Sequence, residues 1–224
     1  MMDWQALWLS ASLAIATAII LMPMAVLIAR WLATSSHPVK PFVEASLALP
    51  LVLPPTVLGY YLLVGMGAHT PLGAMFEAIT GHALAFSFSG LLLASLIFNV
   101  PFAMLPVLRA FEAIPADLFD AARTCGLSRW QTLRKIELPL AWRGILSGLI
   151  MTIAHTLGEF GVVLMVGGSI PGETKTIAIS IYDKVQSFDL NAAGAMSATL
   201  LLVSLVALVA TAWLSRGRSP VSRA

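Results

Sequence analysis

Asn99, His155, Thr156 and Glu159 carry side chains able to move a proton or hydrogen-bond a solute, and all four lie in strongly apolar stretches. Stepping at about 100° per residue from Ser147, Gly148, Thr152, His155, Thr156 and Glu159 fall within an arc of about 100°. Leu149, Ile150, Ile153, Ala154, Leu157 and Phe160 take the opposite side. A polar stripe on a helix that crosses lipid must face protein or water, and an ionisable group within it points to a pathway or gate. A proton relay between His155 and Glu159, four residues apart, is a second chemistry for the same pattern. A third reading is structural: Glu159 near the outer end of its helix, satisfied by His155. Ser95 and Asn99 also share a helix face, and hydrogen bonding between helices is the commoner use of such residues.

No enzyme constellation accompanies these groups. The sequence has no His-Glu-x-x-His, no Gly-x-Ser-x-Gly and no pair of intramembrane aspartates. Gly167-Gly-Ser-Ile-Pro-Gly172-Glu173-Thr174 has the glycine spacing of a phosphate-binding loop. Glutamate, however, stands where that loop needs lysine, and no buried strand precedes it. Nucleotide chemistry would therefore belong to another chain, and no cofactor or metal is expected on this one. The single cysteine, Cys125, excludes a disulfide framework and a cysteine-rich metal site. His69 and His82 read as surface residues.

The elements that must position these groups are membrane spans. The chain has 224 residues, 58% hydrophobic and 11% charged, and a mean hydropathy of +0.89, a composition of integral membrane proteins. Its net charge of +2 is spread over loops and gives no nucleic-acid face. Five stretches are apolar over the roughly 20 residues a helix needs to cross a bilayer: 7–30, 43–65, 84–107, 141–165 and 194–214. Met1-Met2-Asp3-Trp4 lacks the basic start of a signal peptide, so the first stretch reads as a retained span. In the second, Pro50, Pro54 and Pro55 precede Thr56 and must kink or break the helix, freeing carbonyls that line a cavity or are buried. The loop 65–83 carries no motif, and 173–190 reads as a short helix lying in the outer leaflet. Ala192 to Ala198 forms a small-residue face suited to close packing.

Orientation follows from charge. With the N-terminus outside, Arg30, Lys40, Arg109, Arg123, Arg129, Arg134, Lys135, Arg143, Arg216, Arg218 and Arg223 fall inside, eleven of the thirteen Lys and Arg; Lys175 and Lys184 fall outside. The longest amphipathic passage, from about 112 to 139, is then cytoplasmic. Pro115 suits a first helical position, with Asp117 in the first turn. Gly126 suits a left-handed stop, Ser128 with Gln131 a capping box, and Pro139 the end of a second helix. The passage reads as helix, tight turn, helix.

Asp120-Ala121-Ala122, three residues, Gly126, nine residues, Ile136, one residue, Leu138-Pro139 resembles the EAA loop of ABC-importer permeases, with Asp120 where that family usually has glutamate. The resemblance implies that Pro115, Leu118, Asp120, Ala121, Ala122, Gly126, Leu127, Trp130 and Pro139 belong to a coupling helix and turn that dock on a separate cytoplasmic ATPase. Leu157-Gly158-Glu159-Phe160-Gly161, Ile170-Pro171-Gly172-Glu173-Thr174 and Leu53-Pro54-Pro55 are similar to molybdate and tungstate permeases, with sulfate permeases as cousins. Gly167-Gly168-Ser169 departs from the Gly-Asn expected there. Over about residues 45–195 the resemblance implies an all-α, type I importer permease in a bacterial inner membrane, working as a homodimer. Two ATPase subunits, carrying ATP and magnesium, and a periplasmic oxyanion-binding protein would be its partners. Pro54, Pro55, Thr56, Asn99, Thr152, His155, Thr156, Glu159 and Phe160 are the candidates for the path or gate. A sulfate or thiosulfate permease, and an ion-coupled secondary transporter using His155 and Glu159, are the alternatives.

Overall fold

The computed structural model describes residues 2–215, which are almost wholly helical. Helix α1 (Trp4–Thr34) is 31 residues long, about 45 Å at the α-helical rise. Asp3 caps it, its carboxylate accepting from the Ala6 N–H at 3.0 Å. Helices α2 (Lys40–Val52) and α3 (Pro55–Gly65) together make the second span, bent by 107° at Leu53-Pro54. Pro55 at the start of α3 has no N–H to continue the ladder, so the expected break is sharp. Within 65–83 lies a helix that the sequence reading lacked, α4 (Pro71–Thr80). It is capped by Thr70 and stopped by Gly81 at φ +77°, the proline-start, glycine-stop grammar of a short helix.

Helix α5 (Phe88–Glu112) is the central post, and the core forms where α1 and α8 (Leu138–Gly158) pack on it. Gly144 and Gly148 make the α5–α8 contact close. A Cβ at Gly148 would stand 2.8 Å from the Ala103 carbonyl oxygen, and one at Gly144 would run into Ala110 and the Pro106 carbonyl. Leu21, Met22, Ala25 and Ala29 of α1 meet Ala103, Met104, Val107 and Leu108 of α5 in the largest buried cluster, which extends to Phe111, Ile114 and Leu133.

The cytoplasmic passage forms α6 (Ala116–Thr124), α7 (Arg129–Thr132) and a π-helical turn (Leu133–Glu137) that runs straight into α8. Two expectations are corrected here. Pro115 is the cap of α6 at ψ +136° rather than its first helical residue. Pro139 does not end a helix: it sits in the first turn of α8. A proline in mid-helix would clash with the carbonyl four residues back. The wider turn just ahead of it, closed by the Leu138 N–H to the Leu133 carbonyl, lets the chain pass.

The fourth span is also not one helix over 141–165. It stops at Gly158 and resumes, after Glu159 and Phe160, as α9 (Gly161–Gly167), packed on α3 and α5. Helix α10 (Ile177–Gln186) lies against the outer end of α1: the Ile177 N–H donates to Ser10 Oγ at 2.8 Å and Ser180 Oγ to Asp3 Oδ2 at 2.8 Å. Helix α11 (Leu190–Ser215) completes up to five spans. Arg30, Lys40, Glu112 and Arg129 gather at one end of the bundle, and Lys175, Asp183 and Lys184 at the other. The basic tail residues Arg216, Arg218 and Arg223 lie outside the described residues.

Candidate functional site

The cytoplasmic turn is built by hydrogen bonds the sequence specifies locally. At the end of α6 the Leu127 N–H reaches the Ala122 carbonyl at 3.0 Å and the Gly126 N–H the Arg123 carbonyl at 3.0 Å. This double closure needs a left-handed residue at the corner, and Gly126 supplies it at φ +70°. Ser128 and Gln131 then form the expected capping box on α7. Of α6 only Ala122 is buried. Leu118, Asp120, Ala121 and Trp130 face outward, Trp130 with 62% of its surface exposed. Asp120 forms an ion pair with Arg123 along the same helix. Leu127 is half-buried, and Pro115 and Pro139 are exposed. The turn thus exposes Asp120 and Ala121 beside the apolar Leu118 and Trp130.

The membrane candidates divide into groups. Asn99, His155 and Glu159 come together where α5 meets the broken end of α8. Asn99 Nδ2 donates to the Ser95 carbonyl at 2.9 Å, which fixes the amide orientation and turns Oδ1 toward His155 Nδ1 at 3.0 Å. His155 Nδ1 therefore carries the proton of that bond. Its ring stacks on Phe102, centroids 3.7 Å apart, with Phe98 at 5.1 Å. Thr17 of α1 joins by donating to Ser95 Oγ at 3.0 Å. The sequence reading lacks Thr17, Phe98 and Phe102: a threonine in an apolar span is the signal that marks Thr17, and phenylalanine, expected in any span, gives none.

Glu159 is placed differently from the expectation of an interfacial carboxylate satisfied by His155. Both of its carboxyl oxygens are buried without a hydrogen-bond partner among the described residues, and His155 is bonded to Asn99 instead. The Asn99 amide approaches Glu159 without meeting hydrogen-bond geometry. The physical reason is the helix break: Glu159 is the extended cap of α8 (ψ +130°), so its side chain leaves the stripe defined by helical stepping. No direct hydrogen bond joins His155 to Glu159.

Thr152 and Thr156 are buried and spend their hydroxyls on the Gly148 and Thr152 carbonyls, each at 2.8 Å. Such bonds let a polar side chain sit inside a helix bundle. Pro54, Pro55 and Thr56 are exposed at the break between α2 and α3. That break touches the one in the fourth span: a Cβ on Gly161 would lie 2.8 Å from Pro55 Cβ. Phe160, between the two helices, stands against Tyr182 of α10 with ring centroids 5.1 Å apart. Two broken spans and the outer helix thus meet around Phe160.

The glycine-rich stretch after α9 holds no anion cradle. Thr174 Oγ1 donates to the Gly167 carbonyl at 2.6 Å and accepts from the Ile170 N–H at 3.1 Å. The amides of Glu173, Thr174 and Lys175 all turn inward to the Ile170 carbonyl. Among the described residues no cluster of three His, Cys, Asp or Glu side chains is placed to hold a metal ion.

The family described as binding-protein-dependent transport system inner membrane component matches residues 21–219. The chain is 41% identical to the molybdenum transport system permease protein ModB of Azotobacter vinelandii, over 93% of this chain and 92% of that protein. The sulfate transport system permease protein CysW of Synechocystis sp. is 32% identical over 82% of this chain and 66% of its own length. Among solved structures, a chain of a bacterial alginate ABC transporter has a TM-score of 0.70 at 19% identity, covering 94% of this chain and 76% of that one. At that identity the likeness concerns the fold.

Proposed function

The chain belongs to the family of binding-protein-dependent transport system inner membrane components, and from that premise we propose that it is the permease of an ATP-driven importer of molybdate, with tungstate as the second ion carried. It is an inner-membrane subunit and not an enzyme; ATP is hydrolysed on a separate ATPase, and a periplasmic binding protein delivers the solute. The observation that carries the reading is the turn around Gly126: a rigid ridge with Asp120, Ala121, Leu118 and Trp130 exposed, at the basic end of the bundle. Molybdate is favoured over sulfate by the higher identity, over more of both chains, to the molybdenum permease.

The working unit in this proposal is a homodimer with two ATPase subunits. Helix α2 has no buried residue and α3 only Gly59, so the broken second span presents a face for a second copy, with Pro54, Pro55 and Thr56 near the path between them. Asn99 and Glu159, buried inside the protomer, and the half-buried His155 serve this path by setting the position of the helix break. Phe160, at the meeting of two broken spans, is the gate candidate. ATP-driven closure of the ATPase pair would move α6 and α7 and rock the spans. With no lysine or arginine in the middle of a span, the path holds a dianion weakly, as release into the cytoplasm requires.

The test is uptake of labelled molybdate into cells lacking their own high-affinity system, with this chain, its ATPase and its binding protein supplied. Inhibition by tungstate and not by sulfate, together with dependence on ATPase activity, is the expected result. Competition by sulfate would move the substrate to the sulfate class; uptake without any ATPase would overturn the importer reading.

A further inference from the structure

Glu137 is the last residue of the π-helical turn, and its carboxylate is 1% exposed. Arg30, eight-tenths of the way along α1, grips it with both prongs of its guanidinium: Nε to Oε2 at 2.5 Å and Nη2 to Oε1 at 2.9 Å. The same Nη2 reaches the Arg129 carbonyl at 3.4 Å, at the start of α7. One side chain of the first span therefore holds both ends of the short segment that joins the docking turn to the fourth span. A cavity of about 760 Å³ lies beside this grip, lined by Arg30, Thr34, Phe119, Leu127, Thr132 and Glu137 among others. It separates most of α6 from the inner end of α1. Packing alone thus ties the turn to the bundle through few side chains, chiefly Phe119 and Leu133.

We infer that Arg30 and Glu137 form a clamp that carries motion of the docking turn into α1, so that the first and fourth spans move as one body when the ATPase closes. The clamp rests on the importer reading above but not on which oxyanion is carried. Its chemistry suits a rigid link. A planar guanidinium paired through two parallel hydrogen bonds fixes orientation as well as distance. The pair is shielded on the carboxylate side, where competing water is scarce. A π-helical turn is itself a place where a helix can shift its register by one residue, and without the clamp it would absorb motion that should reach the spans. Arg30 and Glu137 are positioning residues: neither needs to touch the solute.

The test uses the complete transporter in proteoliposomes: this chain with its ATPase and a binding protein loaded with molybdate. ATP hydrolysed and ions imported are counted in the same vesicles. Glu137→Gln removes the buried charge and leaves the half-buried Arg30 free to be solvated. Arg30→Lys keeps the charge but not the two-pronged contact. Hydrolysis should stay within about twofold of wild type, while ions imported per ATP fall at least about fivefold in Glu137→Gln and about twofold in Arg30→Lys. The exchanged pair, Arg30→Glu with Glu137→Arg, should recover more than about half of the wild-type ratio. A pair with only a structural role would lower hydrolysis and import together or leave their ratio unchanged, and either result overturns the inference. An exchanged pair that assembles without recovering coupling overturns it as well. If Glu137→Gln does not assemble, the ratio measured for Arg30→Lys decides. A wild-type complex that carries sulfate instead changes the substrate and leaves the ratio readable. A wild-type complex that imports nothing under ATP defeats the importer reading. The clamp is then judged with Cys125→Ser and Thr34→Cys. ATP should alter the reactivity of that thiol in the parent and not in Glu137→Gln; equal change in both, or none in the parent, refutes it.

Discussion

Replacing Gly126 separates the backbone demand of the docking turn from every side-chain effect. The residue sits at φ +70°, and a Cβ added there would meet no atom within 4 Å. Any loss on substitution is therefore conformational and not a clash. For an L-residue the left-handed region costs about 1–2 kcal/mol, least for asparagine and most for β-branched side chains. At about 1.4 kcal/mol per factor of ten, alanine should lower the population of the native corner about fivefold and valine about thirtyfold, with asparagine close to wild type. Proline is the extreme case. Its ring holds φ near −65° and it has no N–H, so the 3.0 Å bond from Gly126 to the Arg123 carbonyl is lost along with the corner. The assay is ATP-dependent uptake of labelled molybdate, beside immunoblots of the membrane fraction that count inserted chain. Uptake should rank wild type, Asn, Ala, Val and Pro, with Pro at least about tenfold down and insertion unchanged, because the turn lies outside the spans. Wild-type uptake by Gly126→Pro, or valine performing as well as asparagine, would refute the claim that this corner orients the turn for its ATPase.

Three further outcomes follow from other parts of the structure. Gly148→Val places a side chain against the Ala103 carbonyl at 2.8 Å and Val107 Cγ2 at 3.2 Å. Overpacking of about 1–3 kcal/mol should lower the Tm of the purified chain by about 2–12 °C, and an unchanged Tm would mean that α5 and α8 are not in close contact. Glu159→Gln removes a buried carboxyl that has no hydrogen-bond partner, so Tm should hold or rise; a fall of more than about 4 °C would reveal a donor satisfying the carboxylate. Asp3 is partly buried, which raises its pKa, but the Ala6 N–H, Ser180 Oγ and the charge of Lys175 outweigh this and hold it below the ordinary carboxylate value. A lowered folded-state pKa contributes stability above the unfolded-state value, and that contribution is lost as pH falls through the folded-state value. Asp3→Ala should therefore lower Tm by about 2–4 °C above about pH 5, the effect of about 1 kcal/mol of lost capping, with the difference shrinking below about pH 4. A difference that grows on acidification would contradict the sign.

The sequence by itself determined what local chemistry dictates. Apolar length set the spans, the distribution of Arg and Lys set which end is basic, and the types at 126, 128 and 131 set a left-handed stop and a capping box, because each depends on residues within a few positions of one another. The proline triplet at 50–55 likewise announced a broken span. Helical stepping failed where the helix itself failed. The stripe through Thr152, His155 and Thr156 held, but Glu159 left it once the chain turned at Gly158, and periodicity carries no information about a break that tertiary packing imposes. Pro139 misled for the opposite reason: a local breaker was accommodated by a π-helical turn anchored from outside. Only the tertiary structure decided that His155 would pair with Asn99 across two helices, that Pro55 would meet Gly161, and that Arg30 would hold Glu137 from 107 residues away. Such contacts depend on how rigid helices are placed against one another, and that placement is fixed by close packing along faces such as Gly144 and Gly148, which no residue reports alone.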